Sequence, residues 1–507
     1  MPASLEGTEE EGEETLTPRG LKLSESFAMK LQCGCPRLRR VLLRVTLLLL
    51  GALFLCAPPV AQRLSAYAAL RETLVKRPDP RGPCFDDPAL WACRKWLTDV
   101  LPARRLDIVL VANELFQQFP LIGYGGIETT VQISAGALHA MRLPFWVITP
   151  GRAHPVPRYP YDVLETPVAP NGRGGLAHEF VMQGIALMAA RADAAGGNLT
   201  RVDAAHAAAG SAPADSDTPE LVVWGQSDWS QAFSMAAGVA AMIASHHDGN
   251  GAVKGWDRQL PRVGHRFLCD NQRDQWVRRD DAYNIARTRI VGHGMPSDEF
   301  FTCEDGGYFL WVASLDWGWE EKGLHIFVES ARRDPSHTYV AYGGGRRGLV
   351  DRLLALNKEL PNFHYRGELL RGEEHTRTFC EATAFFMPTQ LSESFGMTVI
   401  EALAKGVPVI TSTRGAPADI LRVPGRKGDS PYGAACDSME EYAAAARRLG
   451  ARSRNATLAV QAFARANFHS FAIVEALLRF TLDVMAWGDA SGPPDPAANG
   501  TAEAPAP

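Results

Sequence analysis

MPTQLSESFGMTVIEALAKGVPVITSTRGAPADI, residues 387–420, carries one complete unit of the fold. Residues 384–388 before it are a short apolar run of the kind that fills a buried strand. A turn containing Gly396 follows. Residues 396–405 read as a helix with Val399, Ile400 and Leu403 on one face. Residues 408–412 (PVITS) return to strand. Strand, turn, helix, strand is the repeating unit of a parallel α/β layer.

Working outward, the same alternation recurs on both sides. Towards the C-terminus of residue 300 the spacing predicts strands at 308–315, 338–343, 363–366 and 384–388, with helices at 323–333 and 373–383. Helical stretches at 439–452 and 456–487 follow. Upstream, residues 105–113 (RLDIVLVAN) are a β-branched run. They lead through the glycine-rich turn Gly123-Tyr124-Gly125-Gly126 into an amphipathic helix at 127–141 and a strand at 144–149. Further strands are predicted at 221–225, 239–245, 265–269 and 287–291. The fold class is therefore α/β, two doubly wound Rossmann-like units facing across a cleft, with the boundary near residues 292–299. The units are 105–292, interrupted by an Ala-, Gly- and Asp-rich insert at 194–220, and 293–455, with closing helices at 456–487 and a Pro/Ala-rich tail at 488–507.

The N-terminal hundred residues are of another kind. The first 20 hold six Glu and a single Arg, which excludes an import peptide poor in acid. Arg37, Arg39 and Arg40 then lead into an apolar run at 41–57, closed by Pro58-Pro59. That run is just long enough to span a bilayer, and the basic flank before it predicts a cytosolic tail (1–40), an anchor (41–58) and a stem (59–104). The protein is thus expected to be single-pass type II, its main body lumenal in the Golgi or endoplasmic reticulum. Six of nine Cys follow the anchor, with Cys84 and Cys93 the first pair to test for a disulfide. Sequons stand at Asn198, Asn455 and Asn499. The formal net charge of -5 gives no basic surface for nucleic acid.

Ligands of open parallel sheets bind beyond the carboxyl ends of the strands. Ser392 to Glu401 lies just after such a strand. The helix it opens presents unpaired N–H groups at Gly396, Met397 and Thr398, a ready anion site. Glu393 precedes the helix and Glu401 lies in its second turn, so they address different parts of one ligand. Lys322 stands at a helix start, where its charge opposes the helix dipole.

On these residues the chain resembles the retaining GT-B glycosyltransferases of the large family 4 (group 1): a Glu, seven residues, a second Glu, then a helix, a Gly and a Pro-Val-Ile strand. The resemblance covers roughly 105–487 and is dense only in the C-terminal half. It implies a glycosyltransferase (EC 2.4) moving a sugar from a UDP- or GDP-linked donor to a glycan, lipid or protein. Glu393 would meet donor-sugar hydroxyls and Glu401 the ribose. Phe395, Gly396, Met397 and Thr398 would hold the diphosphate, which Lys322 would neutralise. Gly125 and Gly126 match a glycine loop near the reaction centre, and His247, or its neighbour His246, a histidine approaching the donor sugar. The resemblance implies no metal, and no His/Cys set stands at metal-ligand spacing. No separate nucleophile is evident, which implies front-face displacement. One departure stands out. Where the family has Gly-Arg, this chain has Ala313-Ser314, and a hydroxyl cannot replace a guanidinium fork. Arg346 or Arg347 could replace it. The alternatives are a catalytically inactive scaffold on the same fold and a nucleotide-sugar epimerase.

Overall fold

The structure, a computed structural model, describes residues 106–111, 126–141, 143–150, 163–166, 220–225, 240–247, 262–279 and 287–487. The expected tail, anchor and stem, the insert up to residue 219, the C-terminal tail, Gly125, and the Cys84/Cys93 pair lie outside them. Among the described residues no helix is long and apolar enough to cross a membrane.

The first lobe contains β1 (Leu106–Val111), α1 (Gly126–Ala140), β2 (Phe145–Pro150), β3 (Val163–Thr166), β4 (Glu220–Gly225), β5 (Ala241–Ser245), β6 (Val263–Phe267), α2 (Asp270–Arg279) and β7 (Thr288–Ile290). Its seven strands are ordered β3-β2-β1-β4-β5-β6-β7 and pair in parallel throughout. The second lobe contains β8 (Tyr308–Val312), α3 (Leu324–Arg333), β9 (Thr338–Tyr342), α4 (Arg347–Glu359), β10 (Phe363–Tyr365), α5 (Glu373–Glu381), β11 (Ala384–Met387), α6 (Met397–Ala404), β12 (Val409–Ser412), α7 (Ala416–Ile420), β13 (Gly428–Ser430), β14 (Gly433–Cys436), α8 (Met439–Arg448), α9 (Arg454–Phe468) and α10 (Ser470–Ala486). Its order is β10-β9-β8-β11-β12-β14-β13, parallel except for the edge strand β13. Each sheet reverses its order at one point, between β1 and β4 and between β8 and β11. Ligand crevices of such sheets open at those points.

The side-chain period explains why the second sheet must be covered on both faces. Along β8, Phe309 and Trp311 enter one core, while Leu310 and Val312 enter the other. Elements absent from the sequence reading are β3, α2, α4, α7 and the β13–β14 pair. Most of these are short, and α2 (DNQRDQWVRR) is too polar to carry an apolar stripe; α4 is neither, with Leu349, Val350, Leu353 and Leu356 at helical spacing.

The helix expected over 456–487 is two helices, broken at His469. That residue adopts φ -68, ψ 132, ends α9, and caps α10 by accepting the Phe471 N–H on Nδ1 at 3.3 Å. The break redirects the chain. α9 packs against α6 in the second lobe, whereas α10 completes the first lobe's core. There Phe471, Val474, Leu477, Phe480 and Val484 join Leu110, Val131 and Ile243. The Trp224 indole donates to Thr481 Oγ1 at 3.0 Å. Residues 470–486 therefore belong to the first lobe in space, not to a separate closing unit.

The chain crosses between lobes twice, at 291–299 and at 468–470, and the crossings pair with each other. Met295 N–H donates to Phe468 O at 2.7 Å and Ser470 N–H to Met295 O at 2.8 Å. Arg266, wholly buried on β6, secures the first crossing by donating to Val291 O at 2.7 Å and Gly292 O at 2.5 Å. Lys405, at the C-terminal end of α6, pairs with Glu299 in that crossing, where a cation also suits the helix dipole.

A disulfide joins Cys303, at the entrance to the second lobe, to Cys380 on α5, while Cys269 and Cys436 are buried. Arg452 Nη2 donates to the carbonyls of Glu304 and Cys380, at 3.1 and 2.8 Å, holding both backbones together. Cross-links of this loop size restrict the unfolded chain by about 2–5 kcal/mol. Cys303→Ser is expected to lower the melting temperature in calorimetry, and a thiol reductant to lower the wild type to the same value.

Candidate active site between the lobes

Two glycines place the charged residues at the second lobe's crevice. Gly323 (φ 72) turns the chain into α3 directly against β11's exit: a Cβ there would lie 2.0 Å from Pro388 O. Gly415 (φ 72) lies under Glu393, where a Cβ would lie 2.3 Å from Glu393 N. No side chain fits either position, so the Lys322 and Glu393 loops close on each other. Gln390 N–H donates to Glu321 O at 2.7 Å, and Ala416 N–H to Glu393 O at 2.7 Å.

As a result Lys322 Nζ and Glu393 Oε2 form a salt bridge, both side chains retaining some access to solvent (20% and 16%). Just beyond, Gly396 is the N-cap of α6 in a left-handed conformation, with no side chain capping the helix. Among the described residues the first N–H groups of α6 thus meet no side-chain oxygen, and the dipole's positive end faces the same corner as Lys322. Met397 and Thr398 open the helix as expected, both buried. The Phe395 side chain is not in the crevice. It is 3% exposed and packs edge-on to His293, with ring centroids 4.9 Å apart, and against Phe468. Its backbone alone can meet a ligand.

Glu401 is almost fully buried (2% exposed). Its Oε1 accepts from Arg371 Nη2 at 2.8 Å, and its Oε2 lies 3.6 Å from His375 Nε2. Burial lowers the His375 pKa to about 4, outweighing the raising effect of Glu401. The ring is neutral at pH 7, so of these two neighbours only Arg371 brings a full positive charge to Glu401. The same Nη2 donates to Thr129 Oγ1 at 3.2 Å, reaching the first turn of α1 in the other lobe.

From the first lobe come Gly126, exposed at the start of α1, and the histidines after β5. His246 points into the core, its Nε2 3.1 Å from His265 Nδ1 and its ring on Phe267 and Trp276. His247 faces the interface: its carbonyl accepts the Ser394 hydroxyl, and its ring stacks on His293 at 5.2 Å and 4°. Thr130 Oγ1 and Arg266 Nη2 approach His293 Nδ1 at 3.1 and 3.3 Å. A guanidinium can only donate, so Nδ1 is the acceptor and the proton sits on Nε2. Burial, then Arg266 and His247, hold the His293 pKa well below its ordinary value.

Beside Glu393 an open cleft of about 710 Å³ separates α2 from the loop after β12. It is lined by Asp270, Asp274, Gln275, Ser392, Arg414 and Gly415 among others. Gln275 Nε2 donates to Ser392 Oγ across the lobe boundary at 2.8 Å. The structure thus gathers Lys322, Glu393, Gly396, Met397, Thr398 and Glu401 around α6, with His247 opposite. Among the described residues Ser314 bonds to no cation: its hydroxyl accepts Asp316 N–H at 3.3 Å, beside the Asp316 carboxylate. Arg346 and Arg347 are exposed at the start of α4. Sequence reasoning missed Arg371, His375, Thr129 and His293. Only His293, set between Gly292 and Gly294 at the boundary, carried any local signal.

The family described as "Glycosyl transferases group 1" matches residues 306–452, the second lobe from β8 to just past α8. The chain is a glycosyltransferase. Similar solved structures agree in fold. Sucrose-phosphate synthase from Thermosynechococcus elongatus is 16% identical, with TM-score 0.53, covering 75% of this chain and 100% of that one. A glycosyltransferase from Rickettsia africae is 11% identical, with TM-score 0.52, covering 75% and 99%. The pneumococcal O-GlcNAc transferase GtfA, solved with UDP and GlcNAc, is 11% identical, with TM-score 0.51, covering 75% and 99%. No curated protein matches the chain by sequence. The two-lobed arrangement is the GT-B fold.

The buried neutral histidines set the acid behaviour. An unfolded His titrates near 6.5. A folded pKa depressed to about 4 gives His375 a stabilising contribution that is fully present above about pH 6.5 and is lost as pH falls towards 4. His375→Gln should flatten the stability profile in that window, measured as melting temperature against pH, while leaving the profile above pH 7 parallel to the wild type.

Proposed function

We propose that this glycosyltransferase is a retaining, family 4-type enzyme transferring a sugar from a UDP- or GDP-linked donor to a glycan, lipid or protein acceptor. The observation that carries the reading is the Lys322–Glu393 pair at the uncapped start of α6. On donor binding, Lys322 exchanges Glu393 for the diphosphate, and Glu393 is freed to accept donor-sugar hydroxyls. The ribose meets Glu401. As the glycosidic bond breaks, negative charge grows on the leaving phosphate and positive charge on the sugar ring. Lys322 and the α6 N–H groups stabilise the first without reorganising. In this reading these groups carry the role that a metal has elsewhere, and none is required. The cleft beside Glu393 leaves room for the acceptor. With no nucleophile assigned on the sugar's other face, displacement proceeds on the donor's front face, and trapping a covalent glycosyl-enzyme would refute that step.

We place the enzyme in the secretory pathway, Golgi or endoplasmic reticulum, as a type II membrane protein through residues 41–58. The Cys303–Cys380 disulfide supports an oxidising compartment. Asn455 is exposed on the first turn of α9, where a glycan could be carried.

Thermal shift on the full chain in detergent tests the donor site. A ligand at a hundredfold its Kd stabilises by about 2.7 kcal/mol. One of UDP or GDP should raise the melting temperature, and Lys322→Ala and Glu401→Gln should each abolish the rise. Unchanged melting with both nucleotides at millimolar concentration would overturn the reading.

A further inference from the structure

We infer that the Arg371 guanidinium is the second cation of the nucleotide site, binding the donor diphosphate in the role left vacant by Ser314. The inference rests on the donor site proposed above.

Position is the first argument. Arg371 lies in the loop between β10 and α5, beyond the carboxyl end of a parallel strand, as do the loops carrying Lys322 and Glu393. Its Nη2 touches Glu401 Oε1 and Thr129 Oγ1, at 2.8 and 3.2 Å. Glu401 sits four residues into α6 from Met397, roughly 6 Å along the axis from the helix start. Thr129 sits three residues into α1 from Gly126. The guanidinium is therefore held between the second turn of α6 and the first turn of α1, the two helices that follow the crevice loops of the two lobes.

Unused donor capacity is the second. Arg371 Nε is buried and has no hydrogen-bond partner among the described residues. A guanidinium N–H shut away from water and left unpaired is unfavourable, so an acceptor belongs there. The adjoining Glu401 already engages Nη2, and His375, neutral, is on that carboxylate's other oxygen. Neutralising Glu401 explains one contact of Arg371, but neither the reach to Thr129 nor the open Nε. A planar fork with one arm anchored on Glu401 and 24% of its side chain still exposed suits a phosphate oxygen. Arg346 and Arg347, by contrast, are exposed at the start of α4 and make no contact with Glu401 or Lys322 among those described.

The test separates a phosphate contact from a purely supporting role. Affinities of the full chain would be measured for UDP and uridine, and for GDP and guanosine, by calorimetry and ligand-observed NMR. The proteins are wild type, Arg371→Gln, Arg371→Lys and Glu401→Gln. For the preferred base, Arg371→Gln should weaken the diphosphate roughly 10- to 100-fold, the size of a lost charged hydrogen bond, and change the nucleoside less than about twofold. Glu401→Gln should weaken both alike. Equal losses for nucleotide and nucleoside in Arg371→Gln would reduce Arg371 to a support for Glu401 and overturn the inference, as would no loss at all. If Arg371→Gln does not fold, Arg371→Lys decides: it keeps the charge beside Glu401 but lacks the fork, so the diphosphate should still weaken severalfold with the nucleoside unchanged, and equal affinities would refute the inference. Failure of wild type to bind any nucleotide would instead count against the donor site itself.

Discussion

Everything at the active site depends on a constraint remote from the chemistry: the two crossings between lobes are hydrogen-bonded to each other. Met295 exchanges backbone hydrogen bonds with Phe468 and Ser470, so the chain behaves there as a short strand pair rather than two independent linkers. The crossing at 291–299 is fixed on one side by Arg266 and on the other by Lys405 through Glu299. Phe395, in the donor loop, packs on His293 in that same crossing. The loop that would hold a diphosphate is thus seated on the element that sets the relation of the lobes.

Charge is arranged around this frame with few isolated groups. Lys322 with Glu393, Arg371 with Glu401 and Lys405 with Glu299 each bring opposite charges together in partly or wholly buried settings. An unpaired buried charge would be severely destabilising, so in a cleft without ligand such pairs are mutual counter-ions. They also describe the exchange that a ligand must make. In the proposed mechanism a diphosphate displaces a carboxylate from a cation, and sugar hydroxyls take over the carboxylate. His293 in the lobe crossing and His375 beside Glu401 contribute no competing positive charge at neutral pH, because burial holds both neutral.

Much of this was legible in the sequence because the signal was local. The strand–turn–helix–strand order of 384–412 follows from apolar period and glycine position, and β8, β9, β11, β12, α3 and α6 stand within a few residues of where the pattern puts them. Lys322 and Glu393 could be picked out from their own neighbourhoods. Arg371 could not: Arg371-Gly372-Glu373 has the look of any helix entry, and its meaning comes from Glu401, 30 positions on, and Thr129, 242 positions back. Phe395 shows the converse. Its place in the motif suggested a ligand contact, but an aromatic ring beside Gly292 is better accommodated by the interlobe core. The break at His469 was hidden for a related reason: apolar spacing runs on through 456–487, and only partners elsewhere in the chain, Met295 and Ser297, show that the helix turns.

That turn bears on how the protein is made. The first lobe's last strand ends at Ile290, yet its core is closed by α10, which begins at Ser470, 180 residues later (470 − 290). At roughly 5–20 residues per second, a ribosome needs on the order of ten seconds or more to supply it. During that interval the second lobe can complete itself, while the face formed by Leu110, Val131 and Ile243 waits uncovered. The lobe synthesised first is therefore the lobe finished last, and it is the one whose nascent form most needs shielding from aggregation.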